Sequence, residues 1–154
     1  MALDAVAIKA LVGELQCLVG GRVDKMHQPE RDEIIVSVRT LEKSYKLLLS
    51  ASSANPRFHL TEYTKKNPKT APLFCMLLRK HINSGKIKAI EQIDFERIVK
   101  ISVDSYDELG DYTTKYIYVE IMGRHSNILL VNQRCFYYSQ KQLLMDMTET
   151  QFEI

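Results

Sequence analysis

The stretch from Lys115 to Asn132 limits the folds open to this chain more than any other. Ile117, Val119 and Ile121 alternate with Tyr118 and Glu120, the period of a strand that lays one face on a core. Ile128–Val131 is an unbroken aliphatic run, the pattern of a strand covered on both faces. Only a short polar loop separates the two. Gly123 supplies a backbone angle closed to other residues, and Ser126 and Asn127 favour turns, so the pattern predicts a hairpin. Turn chemistry does not require Arg124 and His125 at its tip, which makes these two candidate contact residues.

Similar patterns recur along the chain. Strands are expected near residues 22–28, 34–38, 45–51, 57–61, 86–93, 97–104, 115–122 and 127–132, about eight in all, with Pro29 stopping the first. Asp4 suits a helix N-cap ahead of Ala7, Ala10, Leu11, Leu15 and Leu18, and Gly20-Gly21 ends that helix. A second helix is expected with Pro72 at its first position and Leu73, Met76, Leu77 and Ile82 as its apolar stripe, closed by Gly85. Antiparallel strands with segregated helices argue for an α+β domain, a β-sandwich or flattened barrel flanked by two helices. The order is not βαβ alternation, and Gly13, Gly20 and Gly21 are too poorly spaced for a phosphate fingerprint.

A chain of 154 residues suits one domain. Its net charge of +2 does not announce nucleic-acid binding, although a local basic patch remains open. Cys17, Cys75 and Cys135 form no Cys-x-x-Cys pair; Cys17 and Cys75 are expected as buried free thiols, in keeping with a reducing compartment. With neither a signal-peptide pattern nor the roughly 20 apolar residues that cross a bilayer, a cytoplasmic protein without membrane contact is expected.

No catalytic constellation, metal set or cofactor motif stands out. His27, His59, His81 and His125 are scattered, and the pairs Asp32/Glu33 and Asp107/Glu108 sit in turns. Cations are better placed. Lys65, Lys66 and Lys69 precede the second helix, Arg79, Lys80 and His81 end it, and Lys86 and Lys88 follow. Together they make a candidate phosphate-binding face; the competing reading is a set of solvated cations that complement the helix dipole. Arg97 shares strand parity with Val99, Ile101 and Val103. It therefore needs a carboxylate partner, Asp94, Glu96 or Asp4, or a place at the strand's end. There it would serve as a structural ion pair or would present its guanidinium to a phosphate or a base.

Taken in order, several segments fit one pattern: Met-Ala-Leu-Asp (1–4), Gly-Gly-Arg-Val-Asp-Lys (20–25), Gln-Pro-Glu-Arg-Asp-Glu-Ile (28–34), Tyr-Lys-Leu-Leu-Leu-Ser-Ala (45–51) and Pro-Arg-Phe-His-Leu-Thr (56–61). Phe-Cys-Met-Leu-Leu-Arg-Lys-His (74–81), Ile-Glu-Gln-Ile (90–93), Asp-Glu-Leu-Gly-Asp (107–111) and Met-Gly-Arg-His-Ser-Asn-Ile (122–128) continue it. Over residues 1–132 the chain resembles the N-terminal domain of the NFACT family, whose bacterial members are often labelled fibronectin-binding protein A. The resemblance implies a fold like the N-terminal domain of formamidopyrimidine-DNA glycosylases. It also implies a role in ribosome-associated quality control: binding of aminoacylated tRNA on obstructed large ribosomal subunits, and template-free tailing of the stalled chain, with alanine in bacteria. Chemistry then belongs to the ribosome, and the factor is not an enzyme.

The family's functional acidic residue falls on Asp4 and its Asp–Arg pair on Glu96 and Arg97, with glutamate where aspartate is usual. The expected tRNA contacts are thus Asp4, Glu96, Arg97, Arg124 and His125, beside the basic patch of Lys65, Lys66, Arg79 and Lys80. The glycosylases' N-terminal proline and zinc finger are missing. The alternatives are adhesion to fibronectin, as the family label suggests, and non-catalytic binding of DNA lesions. Residues 133–154 depart from the pattern and are expected to be a divergent, truncated continuation of a longer parent.

Overall fold

The computed structural model describes residues 4–62, 66–106, 109–132 and 137–139. Helix α1 (Ala5–Leu15) runs into a 3-10 turn (Gln16–Leu18) and is followed by β1 (Arg22–Glu30), β2 (Glu33–Arg39), β3 (Ser44–Ser50) and β4 (Arg57–Thr61). Helix α2 (Leu73–Ile82) leads to β5 (Lys86–Gln92), β6 (Ile98–Tyr106), β7 (Tyr112–Glu120), β8 (Asn127–Asn132) and β9 (Tyr137–Ser139). Neighbouring strands are antiparallel, in the order β4-β3-β2-β1-β5-β6-β7-β8-β9. The α+β class, the antiparallel pairing and the two helices are as expected. All eight expected strands form, and β9 extends the sheet past residue 132. Lys65, Asp107, Glu108 and, apart from β9, the tail with Cys135 lie outside the described residues.

The strands fall into two halves. β6 and β7 pair from Ile98↔Glu120 to Tyr106↔Tyr112, whereas among the described residues β1 meets β5 at one register pair, Arg22↔Lys86. Four backbone bonds stitch this seam: Gly20 N to Ile87 O (2.8 Å), Ile87 N to Gly21 O (2.9 Å), Val23 N to Gly85 O (2.8 Å) and Ser84 N to Val23 O (3.0 Å). Gly21 and Gly85 do more there than end helices. A Cβ on Gly21 would lie 2.7 Å from Val38 Cγ1, and one on Gly85 would lie 2.5 Å from Val103 Cγ1 and 2.9 Å from Ile82 O. One apolar cluster spans both halves, with Met26, Leu47 and Phe58 from the first and Ile90, Val99, Ile117 and Ile128 from the second. Ile8 and Leu15 of α1 and Phe74 and Leu78 of α2 complete it.

Several local expectations are corrected. Pro29 does not stop β1, because it sits where the β1–β2 register shifts between His27 and Glu30, a place where a missing N–H is tolerated. Cys17 is exposed; the tighter 3-10 turn sends Leu15 and Leu18 inward, three residues apart, and leaves Cys17 outside. The inward face of α1 carries Ile8 rather than Ala10, which is exposed. The α2 stripe is Phe74, Cys75, Leu78 and Ile82, while Met76 is exposed and Pro72 is the cap before the first helical residue. On β8, Ile128 and Leu130 enter the core, but Leu129 and Val131 are half-exposed.

Gly85→Ala is expected to cost about 1–3 kcal/mol by overpacking the seam. Gly13→Ala, on an open face of α1, should stabilise by roughly 0.5–1 kcal/mol. Urea denaturation of the two variants measures the contrast.

Candidate functional site

Asp4 holds an extended backbone, and its Oδ1 accepts a hydrogen bond from Ala7 N at 2.8 Å. The expected cap is therefore in place, and it fixes where α1 begins. Gln92, the last residue of β5, ties that start to the next turn. Its Nε2 donates to Ala5 O at 3.0 Å and to Glu96 O at 2.8 Å. The turn closes on itself through Ile93 N to Ile98 O (2.9 Å) and Glu96 N to Ile93 O (3.0 Å), with Asp94 at φ +48°. Arg97 follows, and its carbonyl accepts from Ile121 N at 2.9 Å.

Ile121 opens the β7–β8 loop. Ser126, fully buried, receives Met122 N on its Oγ at 2.8 Å and donates that hydroxyl to Gly123 O at 2.6 Å. His125 N donates to Met122 O at 3.0 Å, and Gly123 has the positive φ (+59°) its place in the loop requires. Ser126 is thus the stitch of the loop as well as a turn former, and Asn127 is already the first residue of β8. Arg124 and His125 are carried outward on a 3-10 turn.

The structure therefore brings together, at one end of the sheet, the start of α1, the β5–β6 turn and the β7–β8 loop. Asp4, Glu96, Arg97, Arg124 and His125 all lie on these three segments, and all five are exposed. Strand parity pointed Arg97 inward, but the bend before β6 turns it to solvent at the strand's end. Among the described residues Arg97 has no ion pair with Asp4, Asp94 or Glu96.

The basic patch lies elsewhere. The carbonyl of His81, near the end of α2, accepts from Ser105 Oγ at 2.6 Å. Ser105 is close to the end of β6, at whose start Arg97 stands, so the two cationic groups occupy opposite ends of that strand. Arg79 is committed to the fold, since Nε and Nη2 donate to Met26 O at 3.0 and 2.8 Å. Lys66 and Lys80 are exposed, and Lys65 is outside the described residues. Burial pushes the Cys75 thiol up, with Arg79 and the Gln28 N–H opposing, which suits a structural thiol.

Two polar side chains escaped the sequence reading. Gln92 gave no signal, because its partners come from α1 and from a turn. Lys115 did give one, being on the inward row of Ile117 and Val119. It is buried, and its Nζ donates to Ser105 O and Oγ at 3.1 and 2.9 Å.

The fold and this cluster define an α+β domain with a mixed-charge group of exposed residues at one end of its sheet. The chain belongs to the NFACT family: residues 4–137 match the model for its N-terminal and middle domains. It is similar to the Rqc2 homolog RqcH of Bacillus subtilis, 44% identical over 86% of this chain. The archaeal Rqc2 homolog aRqcH of Methanocaldococcus jannaschii is 31% identical over 83% of the chain. These matches cover 23% and 19% of the two relatives, so the chain spans about a quarter or less of their length. Among solved structures, the N-terminal domain of the fibronectin-binding protein PavA from Streptococcus pneumoniae superposes with a TM-score of 0.83 at 40% identity, covering 86% of this chain and 51% of that one. The N-terminal part of the fibronectin/fibrinogen-binding protein from Streptococcus suis gives 0.87 at 39% identity, covering 90% and 53%.

Gln92→Ala removes the bridge between α1 and the turn. A loss of about 1–2 kcal/mol is expected, with faster hydrogen exchange at the Glu96 amide; unchanged stability and exchange would show that the turn is held by other contacts.

Proposed function

We propose that this chain is the N-terminal module of a ribosome-associated quality-control factor. In this reading it contacts tRNA on large ribosomal subunits obstructed by an unfinished chain, and so supports template-free addition of alanine. The names of the relatives support the pathway. The observation that carries the contact is the convergence of Asp4, Glu96 and Arg97 with Arg124 and His125 on three segments bonded in series, the middle one to each of the others.

Their chemistry suits a nucleotide better than a bare phosphate. Arg97 offers a planar fork of donors that pairs with a phosphate or stacks on a base, and Arg124 and His125 add cationic and ring contacts nearby. Asp4 and Glu96 repel phosphates but accept from base amino groups, so they restrict how a strand sits. With a net charge of only +2, recognition rests on this local arrangement rather than on bulk attraction. Peptide-bond formation is left to the ribosome, so the module acts by binding, in the cytoplasm and without membrane contact. The module takes in the described residues up to 132 together with β9, which pairs with β8.

A second reading, fibronectin binding, is favoured by the names of the two solved neighbours. One comparison separates the two. Arg97→Ala should weaken binding of tRNA about tenfold, as expected for a charge-assisted contact, while the melting temperature stays unchanged because Arg97 is exposed. Normal tRNA binding by this variant removes Arg97 from recognition, and retention of fibronectin without any retention of tRNA by the wild-type protein would favour the second reading.

A further inference from the structure

The half-sheet β1–β4 has a second face, turned away from the core. Strand registers place His27, Ile35, Leu48 and His59 in one cross-strand row and Lys25, Ser37, Lys46 and Thr61 in the next. Although they face away from the core, Ile35 and Leu48 are only 7% and 5% exposed. The segment before α2 reaches this face, and Asn67 lines a cavity of about 370 Å³ together with Lys25, His27, Ile35 and Lys46. A smaller cavity of about 140 Å³ adjoins it, shares His27 and Asn67, and is walled by Gln28, Lys69, Cys75 and Arg79.

Three features of this groove point to a ligand. Four fixed cations line it, Lys25, Lys46, Lys69 and Arg79, against one carboxylate, Asp24, among the described lining residues. Their field is felt at the shared wall: burial first, then Arg79, Lys25 and Lys46, hold the His27 imidazole below its ordinary 6.5. Finally, Gln28 is 3% exposed and its Nε2 donates to Arg31 O at 2.8 Å, yet its buried Oε1 has no partner among the described residues. A buried acceptor left empty is costly, and Gln28 lines the smaller cavity.

We propose that this groove is a second ligand site that takes a nucleotide unit, its phosphate against Lys25, Lys46 and Lys69 and a base amino group donating to Gln28 Oε1. Lysines act as point charges suited to phosphate, and a nucleobase supplies the N–H that phosphate alone lacks. Arg79, already bonded to Met26 O, contributes charge without leaving its structural post. The site is separate from the Arg97 end. β1 is antiparallel to β5 and pairs with it at Arg22↔Lys86, so from there it runs away from Gln92. The inference therefore does not rest on the role of Arg97.

Binding of AMP and of a short single-stranded RNA by the protein is measured calorimetrically at low salt, for wild type, Lys25→Ala/Lys46→Ala, Lys25→Arg/Lys46→Arg and Lys69→Glu. The alanine pair and Lys69→Glu should each weaken binding about tenfold, and the arginine pair should stay near wild type. If AMP shows the loss, the ligand is a free nucleotide; if RNA alone does, it is a strand; both support the site. Lys69→Glu, on an exposed loop, keeps the test valid if the alanine pair does not fold. Equal binding by wild type and both charge variants, no binding of either ligand, or displacement by poly-glutamate as effective as by RNA would overturn the proposal.

Discussion

Where the chain enters β1 and β5 through Gly21 and Gly85 the two strands meet, and one added carbon at either glycine would strike a core valine of the neighbouring strand, Val38 of β2 or Val103 of β6. This contact joins the two half-sheets along four backbone hydrogen bonds. Little else among the described residues pairs β1 with β5, so the seam is what makes one sheet of two halves that share a core. Side chains from both halves contribute to one close-packed core. The seam also fixes directions: β5 leads to Gln92 and the Arg97 turn, while β1 leads to Lys25, His27 and Gln28.

What the fold offers at the Arg97 end is rigidity. An exposed arginine on a free loop would give up much side-chain and backbone freedom on binding. Here the turn that carries Arg97 is bonded to α1 through Gln92 and to the next loop through Ile121, and Ser126 locks that loop from inside. Much of the ordering is therefore done at folding. Membership of the NFACT family gives the arrangement its setting, and the same end carries Glu96, the residue before Arg97, where the resemblance led one to expect aspartate. The extra methylene is compatible with the site because Glu96 is exposed and the turn is held by its backbone rather than by its carboxylate.

Much of this was legible in the chain. Alternation is a local signal, so the strands could be read from their own residues, and Asp4 announced its cap. The family resemblance singled out Asp4, Glu96 and Arg97, which the structure has exposed at one end of the sheet. Less legible were features that depend on distant partners. Nothing in Gly85 alone distinguishes a helix stop from a seam against Val103. Parity put Arg97 on the inward row and left open a place at the strand's end; the second holds, in a bend bonded to Gln92 and Ile121 that sequence spacing does not connect. Cys17 was misplaced because a turn tightening from α to 3-10 rotates the following residues, and Pro29 because a register shift in β1 accommodates it. Lys115 shows the opposite failing: its place on an inward row was visible, but its partner Ser105 comes from another strand.

The central claim is that the turn at Asp94–Arg97 and the loop at Met122–Ser126 form one tRNA-contacting surface. Hydrogen exchange of the protein with and without tRNA, resolved to single amides, tests it most directly. Slowed exchange in both segments on adding tRNA is the predicted result. Unchanged exchange in both, under conditions where tRNA is bound, would contradict it.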